Sequence, residues 1–594
     1  MAMDVWVWVA VGVGLYWLGL VVARHLELMP ASVTTYGPVT IVRTDRGRRV
    51  IERLARHRRL WRAWANVGLG LALVVMVGSF VMLLWSAMLS AVDPSPDQLQ
   101  QPQNVLVIPG VNEFLPLEVA PEIVVGLVVG TVVHEAGHGL LCRVEDIEIE
   151  SMGAAMLAII PLGAFVEPDE ADAERTDRGA RARMFAAGVT NNFALTVVVF
   201  ALLFGPVIGA FAVAPGAAVG GALPGSAAET AGIGSGDRIT AVDGEPVDDQ
   251  DDLDAILAST DERTVTVEVD GERTTQVERS LLVTASSTLG PADIPEGSTV
   301  RSVDGHPVHT RTGFAEAVGE REVVEVGYRD ADGDVASTAV PVGALAGVRD
   351  GPMADGGAPL DAEVVITVVD GERVLDTDDL TEVLDARDPG ETVEVVYVSD
   401  GERHGIDVTL EEAPDGGGFL GVVTLVGTSG MQLSDFGIRG YPAERYLAML
   451  GGGGDAGVPL ADSFVGRMVL AIFLPLASLV FGGALPYNFP GFTAETANFF
   501  VVEGPLGALG PGAFLLANVL FWTGWININL GFFNCIPAIP LDGGHILRTG
   551  LESLLSRAPV PVSERVVSAI VGVVALLMLA SFLVLIFGAG ILAP

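Results

Sequence analysis

"TVVHEAGHGLL", residues 131–141, lies inside a run whose composition is otherwise that of a membrane helix. Two histidines and a glutamate are costly in hydrocarbon, so ionisable groups at that depth mark function unless they only pair with one another. On a helix His134 and His138 are four residues apart and share a face. Two imidazoles on one face can hold a single zinc ion, and Glu135 beside them is placed to take a proton from attacking water. H-E-x-x-H alone arises by chance, and its position in an apolar span is what gives it weight. The competing reading is a polar cluster that only packs helices. Gly137 and Gly139 leave room for another element to approach closely.

Working outward, apolar spans fall near 4–23, 65–91, 121–142, 184–213, 463–485, 512–533 and 566–591. Each has about 20 residues or more, enough to cross about 30 Å of hydrocarbon at 1.5 Å per residue. With half of the 594 residues apolar and a mean hydropathy of +0.49, the chain reads as a multi-pass α-helical membrane protein. The N-terminus lacks a basic region and a small-residue cleavage site, so it is expected to stay as a membrane segment. The stretch 43–62, "RTDRGRRVIERLARHRRLWR", carries nine arginines against two acids. The positive-inside rule makes it cytoplasmic and puts the N-terminus outside. Alternation then runs the His-bearing span inward, with 143–183 cytoplasmic and about 214–460 outside.

The net charge is −41, and all 33 basic residues are arginine. Solvated carboxylates without lysine suit a salt-adapted host, since salt screens their repulsion; an acidic soluble domain from a GC-rich genome is the plainer alternative. Such an excess of acid excludes nucleic-acid binding. The two cysteines, Cys142 and Cys535, fall in or beside apolar segments, which excludes a disulfide framework and suggests small buried hydrophobes.

Within 143–183, "SMGAAMLAIIPLGAFVEPDE" (151–170) is apolar but short and holds Gly and Pro. It is expected as a re-entrant hairpin or strand pair, which hydrocarbon tolerates only where protein or a wet cavity covers it. Further on, "VDGEPV", "VDGHPV" and "VDGERV" recur at 242, 303 and 369. Alternating strand patterns and an Asp-Gly turn make each a small α/β module, with the second and third keeping mainly the strand-turn part. "GGGGDAG" from 451 reads as a flexible linker.

Catalytic zinc keeps three protein ligands and one open position. Position 144 is Val, so the third ligand does not follow the motif as it does in soluble zincins. The candidate is Asp542 in "NINLGFFNCIPAIPLDGGHILR" (527–548), where Pro and Gly should unwind a helix end and aim the carboxylate. A parity problem accompanies it. If 463–485 and 512–533 each cross once, the second runs outward, away from the cytoplasmic end where Asp542 is needed. The 486–511 stretch is expected to hold a re-entrant or crossing piece.

"HEAGH" in one span and "NCIPAIPLDGG" in a later one closely resemble the site-2 proteases, a family of zinc intramembrane metalloproteases. The resemblance implies that His134, His138 and Asp542 bind one Zn2+ per chain and that Glu135 is the general base. It also implies that Asn534 opens the second motif. The family's A-G-P-x-x-N element appears as "AAGVTNN" (186–192), with Val189 for the proline and Asn192 on the asparagine position. Substrate or oxyanion support is the role implied for Asn192 and Asn534. "GAFVEPDE" (163–170) looks like the family's membrane-associated segment, and "LPGSAAETAGIGSGDRITAVDGEPV" (223–247) looks like the PDZ domains inserted in many members.

The fold class expected is thus a multi-pass α-helical membrane protein with inserted α+β PDZ-like domains. Its parts are membrane segments at 1–92, a core at 118–213, PDZ-like repeats at 214–285, 286–345 and 346–425, a linker at 426–462 and a second core at 463–594. The resemblance implies cleavage of transmembrane segments of single-pass membrane proteins, after an earlier extracellular cut. Peptide carboxyl termini at the PDZ-like region and the lipid bilayer are the other partners. The cell membrane is the location, with the PDZ-like region outside and the active site toward the cytoplasm. A membrane metal transporter and a non-catalytic PDZ scaffold are the alternatives. Neither explains a glutamate beside the first histidine.

Overall fold

The computed structural model describes residues 2–30, 32–92, 108–112, 115–158, 160–413, 416–425, 427–557 and 563–592. The chain divides into two compact units. One is Met1–Ala212 with Glu444–Thr493 and Val501–Pro594; the other is Val213–Ala443 with Ala494–Phe500.

The first unit is a helical bundle carrying a four-stranded antiparallel sheet. Its main helices are α1 (Ala2–His25), α2 (Asp45–Leu54), α3 (Arg58–Val92), α4 (Ala120–Val144), α5 (Arg178–Leu202), α6 (Phe464–Phe473), α7 (Pro511–Asn534), α8 (Asp542–Leu555) and α9 (Glu564–Leu592). Six helical stretches among the described residues have the length and apolarity to cross a membrane: Arg58–Val92, Leu117–Val144, Arg178–Ala210, Phe464–Phe481, Pro511–Asn534 and Glu564–Phe587. The chain is therefore a multi-pass α-helical membrane protein with inserted β-rich domains. The arginine-rich stretch is not an irregular loop: Thr44 caps α2 through Arg46 N–H, and α3 starts at Arg58. At the same end of the bundle, Arg58 grips Asp146 with two hydrogen bonds of 2.7 and 2.6 Å. The Arg58 hydrogen bond holds the Asp146 carboxyl below its ordinary pKa.

Small residues let the three central helices touch. A Cβ on Gly126 would lie 2.9 Å from the Trp522 carbonyl oxygen, and one on Gly130 would lie 2.8 Å from Leu530, so α4 and α7 run in the same direction. Gly524 packs on Phe200 and Gly531 on Phe193, so α5 runs opposite to α7. Glu503 N–H donates to the Ala210 carbonyl at 2.7 Å, which returns the chain to the end where α5 finishes before α7 begins.

The stretch 463–485 is accordingly not a simple crossing. α6 breaks at Leu474-Pro475, and the chain doubles back beside it. Phe489 N–H bonds the Leu474 carbonyl at 2.9 Å, and Ser478 N–H and Oγ both donate to Asn488 Oδ1. The returning limb lies along α7, where Asn518 accepts from Phe492 N–H and donates to its carbonyl, each at about 2.8–2.9 Å. The chain thus returns to the end of the bundle where α5 finishes, and α7 starts there and runs parallel to α4. Three of the four glycines at 451–454 are packed, a Cβ on Gly451 meeting Phe204 O at 2.9 Å, while Gly453 faces open space.

The apolar segment after α4 is a strand pair, β3 (Ile149–Leu157) and β4 (Ile160–Pro168). It is extended by a hairpin from the N-terminal region, β1 (Val33–Tyr36) and β2 (Val39–Arg43), in the order β1-β2-β3-β4, all antiparallel. β3 lies between β2 and β4, so among the described residues β4 is the outer strand of the sheet on the α4 side.

The second unit contains three modules of one topology, each with its own hydrophobic core. In each, an Asp-Gly turn has both residues at positive φ: Asp243-Gly244, Asp304-Gly305 and Asp370-Gly371. This is the turn whose twist suits a two-residue hairpin. A helix follows each turn, at Gln250–Ala258, Arg311–Val318 and Thr377–Asp385. The second and third repeats are therefore complete and not reduced to a strand and turn. Their fifth strands escape a sequence reading because they come late and are only three or four residues long. Val422–Leu425 closes the third sheet on Ala344–Val348, Met431–Ser434 the second on Leu281–Ser286, and Ile438–Gly440 the first on Ala217–Ala222. The modules are nested, and the stretch expected as a linker at 426–462 supplies two of the closing strands, Met431–Ser434 and Ile438–Gly440, and a helix at Ala443–Met449. Arg279, fully buried, ties the first to the second through the Thr260 and Leu257 carbonyls and Asp435 at 2.6 Å.

Candidate metal centre

Three atoms converge where α4, α5 and the start of α8 meet. His134 Nε2 lies 3.1 Å from His138 Nε2, and Asp542 Oδ2 lies 3.1 Å from the first and 3.3 Å from the second. All three side chains are at most about one-eighth exposed. The loop 535–541 brings the aspartate there. Gly543 and Gly544 sit so close under it that a Cβ on Gly543 would strike the Cys535 and Ile536 carbonyls and one on Gly544 would lie 2.7 Å from Ala538. Asp542 opens α8, where a carboxylate is favoured by the helix dipole.

His138 donates Nδ1–H to the Met184 carbonyl at 2.8 Å, which leaves its Nε2 lone pair facing the other two atoms. Buried lone pairs at this spacing repel unless a cation or protons lie among them. A tetrahedral ion with bonds of about 2.0–2.1 Å needs ligand atoms about 3.3 Å apart, so the trio fits one face of a zinc polyhedron. α5 leaves the space for it: Gly188 faces the trio, and a Cβ there would lie 2.6 Å from His138 Nε2 and 2.8 Å from His134 Nε2. Sequence reasoning passed over Gly188. Its signal was a glycine inside a helix, which costs about 1 kcal/mol against alanine and so needs a packing reason.

Glu135 stands at the edge of the trio, within the group of ligand-bearing atoms of His134, Glu135 and His138 that all lie inside 4.8 Å. Its Oε2 accepts the Val166 N–H of β4 at 2.8 Å, and Thr131 Oγ1 accepts Ala164 N–H at 3.3 Å. Two outward N–H groups of β4 are therefore held by α4. Asn192, fully buried, places its amide nitrogen 3.3 Å from His134 Nδ1. Asn534 is not drawn into a bond with the trio; its amide donates to the Leu530 carbonyl of its own helix at 3.0 Å. His545 stacks on Phe185 with ring centroids 4.4 Å apart, and Cys142 and Cys535 are buried free thiols.

The profile of Peptidase family M50 matches residues 122–579, which include the whole trio and the modules between. The chain belongs to this family. Among curated relatives, an uncharacterised protein of Methanocaldococcus jannaschii is 26% identical over 182 residues, 29% of this chain and 45% of that protein. A putative zinc metalloprotease of Rhizobium meliloti is 30% identical over 178 residues, 24% of this chain and 47% of that one. The zinc metalloprotease RasP of Oceanobacillus iheyensis is 42% identical over 48 residues, 8% and 11% of the two chains. The chain thus spans less than half the length of these relatives. For an M50 peptidase, a buried His-His-Asp trio with a neighbouring glutamate is a donor set of the right chemistry for a hydrolytic metal.

Proposed function

We propose that this M50 peptidase is a zinc-dependent intramembrane endopeptidase that cleaves the transmembrane segments of single-pass membrane proteins. The observation that carries the reading is the convergence of His134 Nε2, His138 Nε2 and Asp542 Oδ2 within 3.1–3.3 Å, with Glu135 alongside. His134, His138 and Asp542 hold the ion. When bound, zinc supplies Lewis acidity for activating water near neutral pH and for polarising the scissile carbonyl. Glu135 takes the proton of the attacking water and returns it to the leaving amine. Its Oε2 is anchored on β4, which orients Oε1 for that transfer. The substrate helix must unwind to expose a carbonyl, and β4, the outer strand of its sheet, is the strand such a segment would pair with.

The modules are read as PDZ-like filters that bind the carboxyl terminus left by an extracellular cut or exclude bulky ectodomains. The arginine-rich end of α2 and α3, paired with Asp146 at the end of α4, supports a cytoplasmic site and an extracytoplasmic module region. No observation favours metal transport, in which Glu135 has no task.

The test measures zinc content and cleavage of a single-pass substrate on the same purified preparation, wild type beside Glu135→Ala. One zinc per chain in both, with turnover falling by a factor of about 10² to 10⁴ or more in the variant, is expected. No zinc in the wild type refutes the metal reading, and undiminished turnover by the variant refutes the base. Removing 217–440, all three modules with their closing strands, is expected to admit uncut substrates with long ectodomains. Unchanged selectivity would make the modules spacers.

A further inference from the structure

We infer that Asn192 is a positioning residue for the metal centre, setting the tautomer and tilt of His134, rather than a residue that meets the substrate. The inference rests on the metal-site reading above. Asn192 lies in the middle of α5 with no exposed surface, so a peptide cannot reach it without parting α4 from α5. Its amide nitrogen is 3.3 Å from His134 Nδ1, while its Oδ1 is buried with no partner. An asparagine amide can be turned half a circle about Cγ without changing shape. With the oxygen toward the ring the acceptor gains a donor, and the amide nitrogen takes the buried place that Oδ1 held. His134 Nδ1–H donates to Oδ1, the buried acceptor is satisfied, and the Nε2 lone pair is freed toward His138 and Asp542. With the nitrogen toward the ring, Nδ1 would be the acceptor and the proton would sit on Nε2, between the ligand atoms, where it blocks the ion.

The two histidines are then held alike, each by an oxygen accepting its Nδ1–H. For His138 that oxygen is the backbone carbonyl of Met184; for His134 it is the side chain of Asn192, about two turns further along α5. The difference has a geometric cause. α5 passes closest at Gly188, which faces both rings, so Met184 and Asn192 fall on either side of that point, each four residues away. Neighbouring Asn191 is occupied elsewhere, accepting from Trp64 Nε1 at 3.0 Å, so the two asparagines are not interchangeable. Removing such an outer acceptor weakens metal affinity by about 10–100-fold.

The experiment titrates zinc against a competing chelator on the full-length protein in detergent, comparing wild type, Asn192→Ala and Asn192→Asp. It also records apo-protein melting, kcat and KM. The aspartate variant keeps an oxygen at the same place and can only accept, so affinity within a few-fold of wild type is expected for it. A loss of about 10–100-fold is expected for Asn192→Ala. If the alanine variant does not fold, the isosteric Asn192→Asp variant decides alone. Loss of zinc by Asn192→Asp would mean that the amide donates to His134. Zinc binding by Asn192→Ala at wild-type affinity, with a raised KM, would mean a substrate contact. Either result overturns the inference. Absence of zinc from the wild type would instead refute the metal reading itself.

Discussion

Gly188→Ala puts one methyl group against both histidines. Its carbon would start 2.6 Å from His138 Nε2 and 2.8 Å from His134 Nε2. Carbon makes contact comfortably at about 3.5 Å or more, so the rings must retreat by about 0.7–0.9 Å. Metal sites tolerate about 0.2 Å. Losing the geometry of even one ligand should lower zinc affinity at least about 100-fold, or about 2.7 kcal/mol. The fold should barely notice. Alanine in a helix interior is worth up to about 1 kcal/mol over glycine, against about 0.5–1.5 kcal/mol for forcing a ring off its rotamer. The assay is a chelator competition for zinc beside thermal unfolding of the metal-free protein. Loss of zinc and cleavage with a melting temperature near wild type is the expected outcome. A Gly188→Ala protein that binds zinc at wild-type affinity would show that the ion does not sit among these rings, and the site as argued would be wrong.

Arg279→Leu leaves Asp435 buried without its partner and should destabilise the modules by about 3–5 kcal/mol, read by denaturant-dependent proteolysis of the full chain. Adding Asp435→Leu should recover most of that, whereas an additive double mutant would show that the pair itself is not what matters. Stripping metal with a chelator should abolish cleavage, and added zinc should restore it without a change in helix content; activity surviving exhaustive chelation would refute zinc catalysis. With a net charge of −41, the melting temperature of the purified protein should rise on going from dilute buffer to molar potassium chloride. A fall would refute the salt-adapted reading.

Much of the site is legible along the chain because its chemistry is local. The spacing of His134 and His138 is set by one helical turn, and the cost of polar groups in hydrocarbon flags both that span and Asp542 as functional. The membrane spans and the three module turns are legible for the same reason: hydropathy, strand alternation and the Asp-Gly turn are properties of a few consecutive residues. What stays hidden is set by residues far apart in sequence. Three-residue strands such as Ile438–Gly440 carry no periodicity of their own and become strands only when a sheet edge more than two hundred residues earlier, at Ala217–Ala222, is there to pair with. The direction of α7 depends on a helix break and a polar zipper at 474–492, and hydropathy registers apolarity, not whether a chain turns back. Asn192 is placed by its motif, but its role depends on a ring from another helix. Gly188 is a plain mid-helix glycine until α4 is laid across it. The order of residues alone is enough to point to the candidate groups for chemistry and to the segments long and apolar enough to cross a membrane. Which lone pairs face one another is settled only by packing, because that geometry comes from contacts between helices and not from any one of them.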